Sequence, residues 1–254
     1  MNNNTLNIDF HKSFEQSENI INTCKNISSI CNEKDILNNS FFVDTEYDNF
    51  SDFPWLYYAS HNSEIIGFIS IYIIDSYNIE ICGFVLPKYR RNKIATELFS
   101  MMVMDFNSKS FVLSMNTDNK IGKKFVHQMG FEYRSTECSM KLLKQDYKTF
   151  YNVLSLAPEK QGEEIVITGL LDGKEIGRSV ASVFHNTVCI HDVEIFERYR
   201  RKGYGYRLIG TLLNHIFEKY DTAVLHVTKE NIPAYNLYQK LGFKTIEELE
   251  YYEL

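Results

Sequence analysis

The chain alternates between short apolar runs of strand length and longer stretches with helical spacing. The second half is the clearer. Glu164 to Leu171 reads as a strand, Asp172-Gly173 as a tight hairpin turn, and Lys174 to Phe184 as the partner strand. His185-Asn186 makes the next turn, and Thr187 to Phe196 forms a third strand whose end passes through Tyr199 to Gly205 into an amphipathic helix. That helix runs to about Lys219, with Leu208, Leu212 and Ile216 as its buried stripe. Ala223 to Thr228 then reads as a buried strand and Asn231 to Leu241 as a helix stopped at Gly242, followed by Phe243 to Leu254 as a closing strand or pair.

The first half follows the same order. Strands are expected at Trp55 to Ser60, Glu64 to Ile73 and Ile79 to Leu86, and a helix from about Asn92 to Met104. Phe111 to Met115, Lys120 to Met129 and Phe131 to Leu143 complete the unit, and Asn7 to Asn39 should contain helices despite its Asn-rich texture. The parallel is one of sequence as well as of pattern. A shift of 110 residues sets Tyr199-Arg200-Arg201 on Tyr89-Arg90-Arg91 and Ile176-Gly177 on Ile66-Gly67. A shift of 112 sets Leu241-Gly242-Phe243 on Met129-Gly130-Phe131 and Asn231 on Asn119. Two related units follow, because a duplicated pattern constrains architecture more firmly than local propensity. The expected fold class is α/β (α+β), two domains of similar design, each a mixed, mostly antiparallel sheet flanked by helices. The expected boundaries are residues 1–145 and 163–254, with a linker at 146–162 whose last residues, Ala157 to Gly162, are rich in Pro, Gly and charge.

Composition narrows the partners. A chain of 254 residues has room for two cores, and a net charge of -6 argues against a broad phosphate-binding surface, so no nucleic acid is expected. The five cysteines are odd in number and irregularly spaced, which favours free thiols in a reducing cytosol; Cys82 and Cys189 fall in apolar runs as small buried residues. No Cys/His cluster suggests a metal. Met1-Asn2-Asn3-Asn4 lacks the basic and apolar segments of a secretory leader. The longest apolar run, Ile65 to Ile74, is far shorter than the roughly 20 residues that cross a bilayer. A cytoplasmic protein without a membrane partner is expected.

The chemistry concentrates where the third strand of the second unit meets its helix. Arg200-Arg201-Lys202-Gly203-Tyr204-Gly205 places two glycines and three cations at a helix N-terminus, where unpaired N–H groups and the positive end of the dipole suit phosphate oxygens. Further on comes Asn231-Ile232-Pro233-Ala234-Tyr235-Asn236-Leu237-Tyr238-Gln239-Lys240-Leu241-Gly242-Phe243, in which Asn231 suits an N-cap and Ala234 and Tyr238 share a helix face. The first segment matches the pattern (R/Q)xxGx(G/A) and the second NxxAxxLYxxxGF. Together they resemble the signatures of the GNAT superfamily of acetyl-CoA-dependent acyltransferases, strongly over about Gly162 to Leu254 and more weakly over Trp55 to Leu143.

The resemblance implies roles for these residues. Arg200, Arg201, Lys202, Gly203, Tyr204 and Gly205 would hold the pyrophosphate of acetyl-CoA, Asn231 and Ala234 would lie along the pantetheine arm, and the N–H of Ile195 would polarise the thioester carbonyl. Tyr238 would protonate the departing thiolate. An amine acceptor, a small molecule or a peptide, would attack directly, with no metal and no covalent intermediate on the enzyme. Because an alkylammonium of pKa about 10 must first lose a proton, a base is needed. His191 is the candidate, four residues before Ile195 and therefore on the same face of a regular strand; Glu194 would face the other way, and Glu230 and His226 rank lower.

In the first unit Arg90-Arg91-Asn92-Lys93-Ile94-Ala95 stands at the loop, Val126 stands in place of Tyr238, and Ile81 stands in place of His191. The first unit is therefore expected to be a degenerate copy that supplies a wall of the acceptor site. Two alternatives stay open: an acyl-CoA-binding sensor without catalysis, or a transferase of another acyl group.

Overall fold

A computed structural model describes residues 6–39, 41, 53–161 and 164–254. Met1 to Asn4, read above for a leader, and Gly162 and Glu163, at the expected linker end and domain start, lie outside the described residues. The elements run in the order β1 (Asp9–Ser13), α1 (Glu18–Asp35), β2 (Leu56–His61), β3 (Glu64–Ile73), β4 (Asn78–Val85), α2 (Ile94–Asp105), β5 (Ser110–Asn116), α3 (Lys120–Met129) and β6 (Glu132–Leu143). The second half continues with β7 (Ser155–Gln161), β8 (Glu164–Leu171), β9 (Lys174–Phe184), β10 (Thr187–Ile195), α4 (Tyr204–Lys219), β11 (Thr222–Thr228), α5 (Ile232–Lys240) and β12 (Lys244–Glu253).

Two compact units result, one comprising residues up to Arg134 together with Leu249–Leu254, the other Ser135–Glu248. The first unit's strands lie in the order β1-β2-β3-β4-β5-β12 and the second's in the order β6-β11-β10-β9-β8-β7. One neighbouring pair in each is parallel, β4 with β5 and β10 with β11; the rest are antiparallel. The mixed, mostly antiparallel sheet expected for each unit is what forms.

The boundaries differ from those expected in two ways. The C-terminal part of the expected linker is β7, paired with β8 from Ser155↔Leu170 to Gln161↔Glu164. Pro158 is tolerated because β7 is an edge strand, where a missing N–H costs no ladder bond on the open side. The last strands are also exchanged. β6 closes the first repeat in sequence but pairs with β11 from Glu137↔Thr228 to Leu142↔Ala223 and Leu143↔Thr222. The end of β12 pairs with β5 from Leu249↔Asn116 to Glu253↔Val112. An alternating strand pattern shows that one face will be buried, but it does not name the neighbour that supplies the hydrogen bonds.

Each core follows from the patterned elements. In the first unit, α2 and α3 bury Leu98, Phe99, Met102 and Val126 against one sheet face, and α1 buries Cys24, Ile27 and Cys31 against Leu56, Phe68 and Phe84 on the other. Ser17 caps α1 by accepting from the N–H of Ile20 at 3.4 Å. In the second unit α4 and α5 pack on the same face, where Leu208, Leu212, Leu213 and Ile216 meet Ile176, Val188, Ile190 and Leu225. Truncating any one of these leucines to Ala would cost about 2–5 kcal/mol. Because the second unit has no counterpart of α1 among the described residues, the opposite face of its sheet carries no helix. It presents Glu137, Ser139, Glu164, Ser182, His191 and His226.

Candidate active site

The site of the second unit is organised by a fork between two parallel strands. β10 and β11 pair only from Thr187↔Thr222 to Ile190↔Leu225, although β10 continues to Ile195 and β11 to Thr228. Beyond that point each strand keeps its other neighbour, β10 with β9 and β11 with β6. The backbone groups on the inner edges of the fork are therefore left to a ligand or to water. Phe196 donates to the carbonyl of Ile176 at 3.0 Å across β9. By the alternation of an antiparallel ladder, the N–H of its neighbour Ile195 then points away from β9, into the fork.

A bulge re-aims this strand. The register of β10 on β9 passes from His191↔Val180 to Glu194↔Arg178, so one extra residue is accommodated, and Asp192 takes a left-handed φ of 49°. Gly177 is required nearby, because a Cβ there would collide with the carbonyl oxygen of Glu194. The bulge overturns the face assignment made from a regular strand. His191 and Glu194, opposite Val180 and Arg178, share one face, and Ile195, opposite Gly177, lies on the other. It also changes the comparison between repeats. Matching both ladders puts Cys82, which pairs with Ser70, where the second unit has His191, and puts Ile81 where it has Ile190. β4 pairs with β3 without any such shift.

Two imidazoles that the sequence ranked apart stand one on each lip beside the vertex of the fork. Ile190 and Leu225, the last paired residues, are both in the core, so the next residues, His191 and His226, face the helix-free side from opposite lips. His191 Nε2 lies 2.8 Å from Ser182 Oγ and 3.6 Å from Glu164 Oε1, and its Nδ1 lies 3.2 Å from Asp192 Oδ2. His226 Nδ1 lies 3.1 Å from Ser139 Oγ and 3.5 Å from Glu137 Oε1. Glu230, also considered as a base, instead accepts from the N–H of Thr136 at 3.3 Å.

The glycine loop sits at the other end of the fork. Arg201 and Gly203 take left-handed φ values of 59° and 79°, and Gly203 serves as N-cap of α4 with open space where a Cβ would project. Arg200 donates from Nε to the carbonyl of Ile195 at 2.8 Å, which ties the loop to the end of β10. Among the described residues no carboxylate meets its terminal nitrogens, and the side chain is exposed. Lys202 Nζ donates to the carbonyl of Arg198 at 3.0 Å, and Tyr204 stacks edge-on against Tyr199. Gly205 lets the first turn of α4 approach α5, since a Cβ there would lie 2.9 Å from Leu237 Cδ1.

On α5, Asn231 is the N-cap, its Oδ1 accepting from the N–H of Ala234 at 3.4 Å. Its position thus has a local structural reason. Tyr238 is buried against Phe243, and its hydroxyl has no hydrogen-bond partner among the described residues. Burial pushes this phenol up to about 12, so it stays protonated at neutral pH.

The model of the acetyltransferase (GNAT) family matches residues 22–131 and again 134–243, once for each repeat. The chain belongs to the GNAT acetyltransferase family. The two matches make it a tandem GNAT protein. An N-alpha-acetyltransferase of Sulfurisphaera tokodaii is 39% identical over 62 residues, which is 24% of this chain and 37% of that relative. The match therefore spans little more than a third of the relative's length. Among solved structures, a GCN5-related N-acetyltransferase from Sphaerobacter thermophilus superposes with a TM-score of 0.72 at 10% identity, covering 97% of this chain and 95% of that one. A tandem GNAT protein from the clavulanic acid biosynthesis pathway gives a TM-score of 0.63 at 10% identity, covering 98% of both chains. At such identities the likeness is one of fold.

Among the described residues no helix is long and apolar enough to cross a membrane, and no three His, Cys, Asp or Glu side chains are placed to hold a metal ion. All five cysteines are free. The alternation of β10 conceals its bulge, and the placing of His191 and His226 on facing lips of the fork depends on register. One signal for the second was present: each histidine follows an apolar core residue at the middle of its strand, Ile190 or Leu225.

Proposed function

We propose that the second repeat is an N-acetyltransferase, taking acetyl-CoA in the fork between β10 and β11 and an amine on the helix-free face. The observation that carries the reading is the fork itself: an unpaired inner strand edge into which the Ile195 N–H points, leading to a helix N-terminus whose arginine meets no carboxylate among the described residues. The residues present suit such a substrate. An extended amide-bearing arm can pair with an open strand edge, and a pyrophosphate can sit against the N–H groups of α4, where Gly203 leaves the approach clear. Arg200, Arg201 and Lys202 supply charge there, and Tyr204, Asn231 and Ala234 flank the path.

Acetyl-CoA, when bound, supplies the activated acyl group. The chain's own part is to orient it and to move protons. Ile195 N–H is positioned to donate to the acyl oxygen. His191, with His226 on the facing lip, takes the proton from the acceptor ammonium, beside the carboxylates Glu164, Asp192 and Glu137. The Tyr238 phenol, protonated and without a partner, returns a proton to the leaving sulfur. The acidic surroundings of both histidines suit a cationic acceptor, and the likeness to an N-alpha-acetyltransferase places peptide α-amines beside small amines as substrates to be tried. A cytoplasmic location accords with the free thiols.

Gly203→Glu tests the coenzyme site, because it puts a carboxylate and a Cβ into a left-handed loop facing the phosphates. Calorimetric titration should show binding of acetyl-CoA to the parent and none to the variant; binding retained by the variant would remove this loop from the site.

A further inference from the structure

The first repeat keeps the backbone of a coenzyme cleft. β4 and β5 pair only from Asn78↔Ser110 to Glu80↔Val112 and then diverge, as β10 and β11 do. Leu86 donates to Ile66 at 2.9 Å, the counterpart of Phe196 on Ile176, so the N–H of Val85 points into this second fork. Arg91 and Lys93 take left-handed φ values of 69° and 60°, close to those of Arg201 and Gly203. Arg90 Nε donates to the carbonyl of Val85 at 2.9 Å, as Arg200 does to Ile195. The scaffold is a near copy.

What differs is that its ligand-facing groups are already taken, and by one short stretch of chain. The terminal nitrogens of Arg90 donate to both carboxylate oxygens of Asp35, at 2.9 and 2.7 Å, with both side chains about four-fifths buried at 19% and 18% exposure. Paired donation of this kind is how a guanidinium holds a phosphate. At the far side of the fork, the N–H of Asn116, the last residue of β5, donates to Asn39 Oδ1 at 3.1 Å, and the N–H of Asn38 donates to Asn116 Oδ1 at 3.1 Å. Asn32 holds Asn39 in place through a reciprocal pair, Asn39 N–H to Asn32 Oδ1 at 3.1 Å and Asn32 Nδ2 to the Asn39 carbonyl at 2.9 Å. Cys31, a turn before Asp35, donates to the Val85 carbonyl at 3.4 Å. The segment Asp35–Asn39 thus bridges the arginine that follows β4 and the end of β5.

We propose that Asp35–Asn39 is a built-in occupant of the first repeat's coenzyme cleft, the Asp35 carboxylate standing where a phosphate would bind and the asparagine amides where an amide-bearing arm would pair. The first repeat is then closed to acyl-CoA by its own chain and not only by Lys93, and the protein takes up one coenzyme per chain. This rests on the reading of the second repeat's fork as a coenzyme site, and the experiment separates the two.

The full chain is titrated with coenzyme A by calorimetry. One site per chain is expected in the parent and none in Gly203→Glu. Adding Asp35→Ala and Asn39→Ala to Gly203→Glu should create one new site, weaker than the parent's by roughly tenfold or more because Lys93 crowds the loop. A parent that binds no coenzyme refutes the second-repeat reading and this one with it. Two sites in the parent, or a folded triple variant that binds nothing, refutes the plug alone, whereas one site surviving Gly203→Glu refutes the second-repeat loop assignment and this closure with it. Should the triple variant fail to fold, Asp35→Asn in the Gly203→Glu background keeps the shape and removes the charge. Pyrophosphate binding to this variant, absent from Gly203→Glu itself, supports the closure, and no binding to it overturns the closure.

Discussion

Tyr238 is a buried phenol whose hydroxyl has no partner among the described residues, and two consequences follow. Tyr238→Phe should lower turnover on the order of 10²-fold with little change in coenzyme affinity, if the phenol returns the proton to sulfur. Steady-state rates beside calorimetric binding check this, and an unchanged rate removes the acid role. The second consequence concerns stability. The folded phenol sits at about 12 and an unfolded one near 10, so between about pH 10 and pH 12 the unfolded chain loses this proton while the native chain keeps it. Stability is then full below about pH 10 and falls as pH rises, and Tyr238→Phe should flatten the fall seen in denaturant midpoints. Part of the slope will remain, since burial also pushes Tyr147 up to about 12. The two histidines make a third case. His191→Gln and His226→Gln should each lower the rate at neutral pH and recover towards the parent at high pH, where the acceptor amine needs no base; loss equal at every pH would mean a positioning role. The motif residues were legible in the sequence because their spacing belongs to one helix and one turn. The placing of His191 and His226 on facing lips of the fork was not, because it depends on register across strands distant in sequence.

At the scale of elements, α4 was legible from Leu208, Leu212 and Ile216, since a helix that must bury one stripe repeats its apolar residues at helical spacing. The bulge in β10 was not. One extra residue leaves no mark in an alternating pattern only nine residues long, yet it reverses the faces of Glu194 and Ile195 relative to His191. The partner of the final strand was equally invisible. Its last residues hold the first unit together: Leu254 and Phe111 exchange backbone hydrogen bonds at 2.9 and 3.1 Å, Glu253 accepts from Arg134 at 2.8 Å and Ser110 at 2.9 Å, and Glu250 pairs with Lys123 at 2.8 Å. Removing Leu249–Leu254 should therefore destabilise the first unit, although those residues belong in sequence to the second. Hydrogen exchange resolved by peptide should show lost protection in β5, and unaltered protection there would contradict the pairing.

For the whole molecule, the repeat and the family were readable from aligned landmarks such as Tyr89-Arg90-Arg91 and Tyr199-Arg200-Arg201. Where the chain can be divided was not. A fragment of residues 163–254 would lack β6, leaving β11 without its antiparallel neighbour along its whole length, and would also lack β7. Such a fragment is expected to show no cooperative unfolding transition by circular dichroism; a stable, active fragment would refute both the exchange and any need for the first repeat. Sequence alone determined most of the strands and helices, though not β1 or β7, and where the glycine turn before α4 lies, because periodicity, caps and glycines act over a few residues. Tertiary structure decided which strand completes which sheet, which face His191 takes, and that Asp35 occupies Arg90. Those outcomes depend on hydrogen-bond and charge partners that only folding brings within reach.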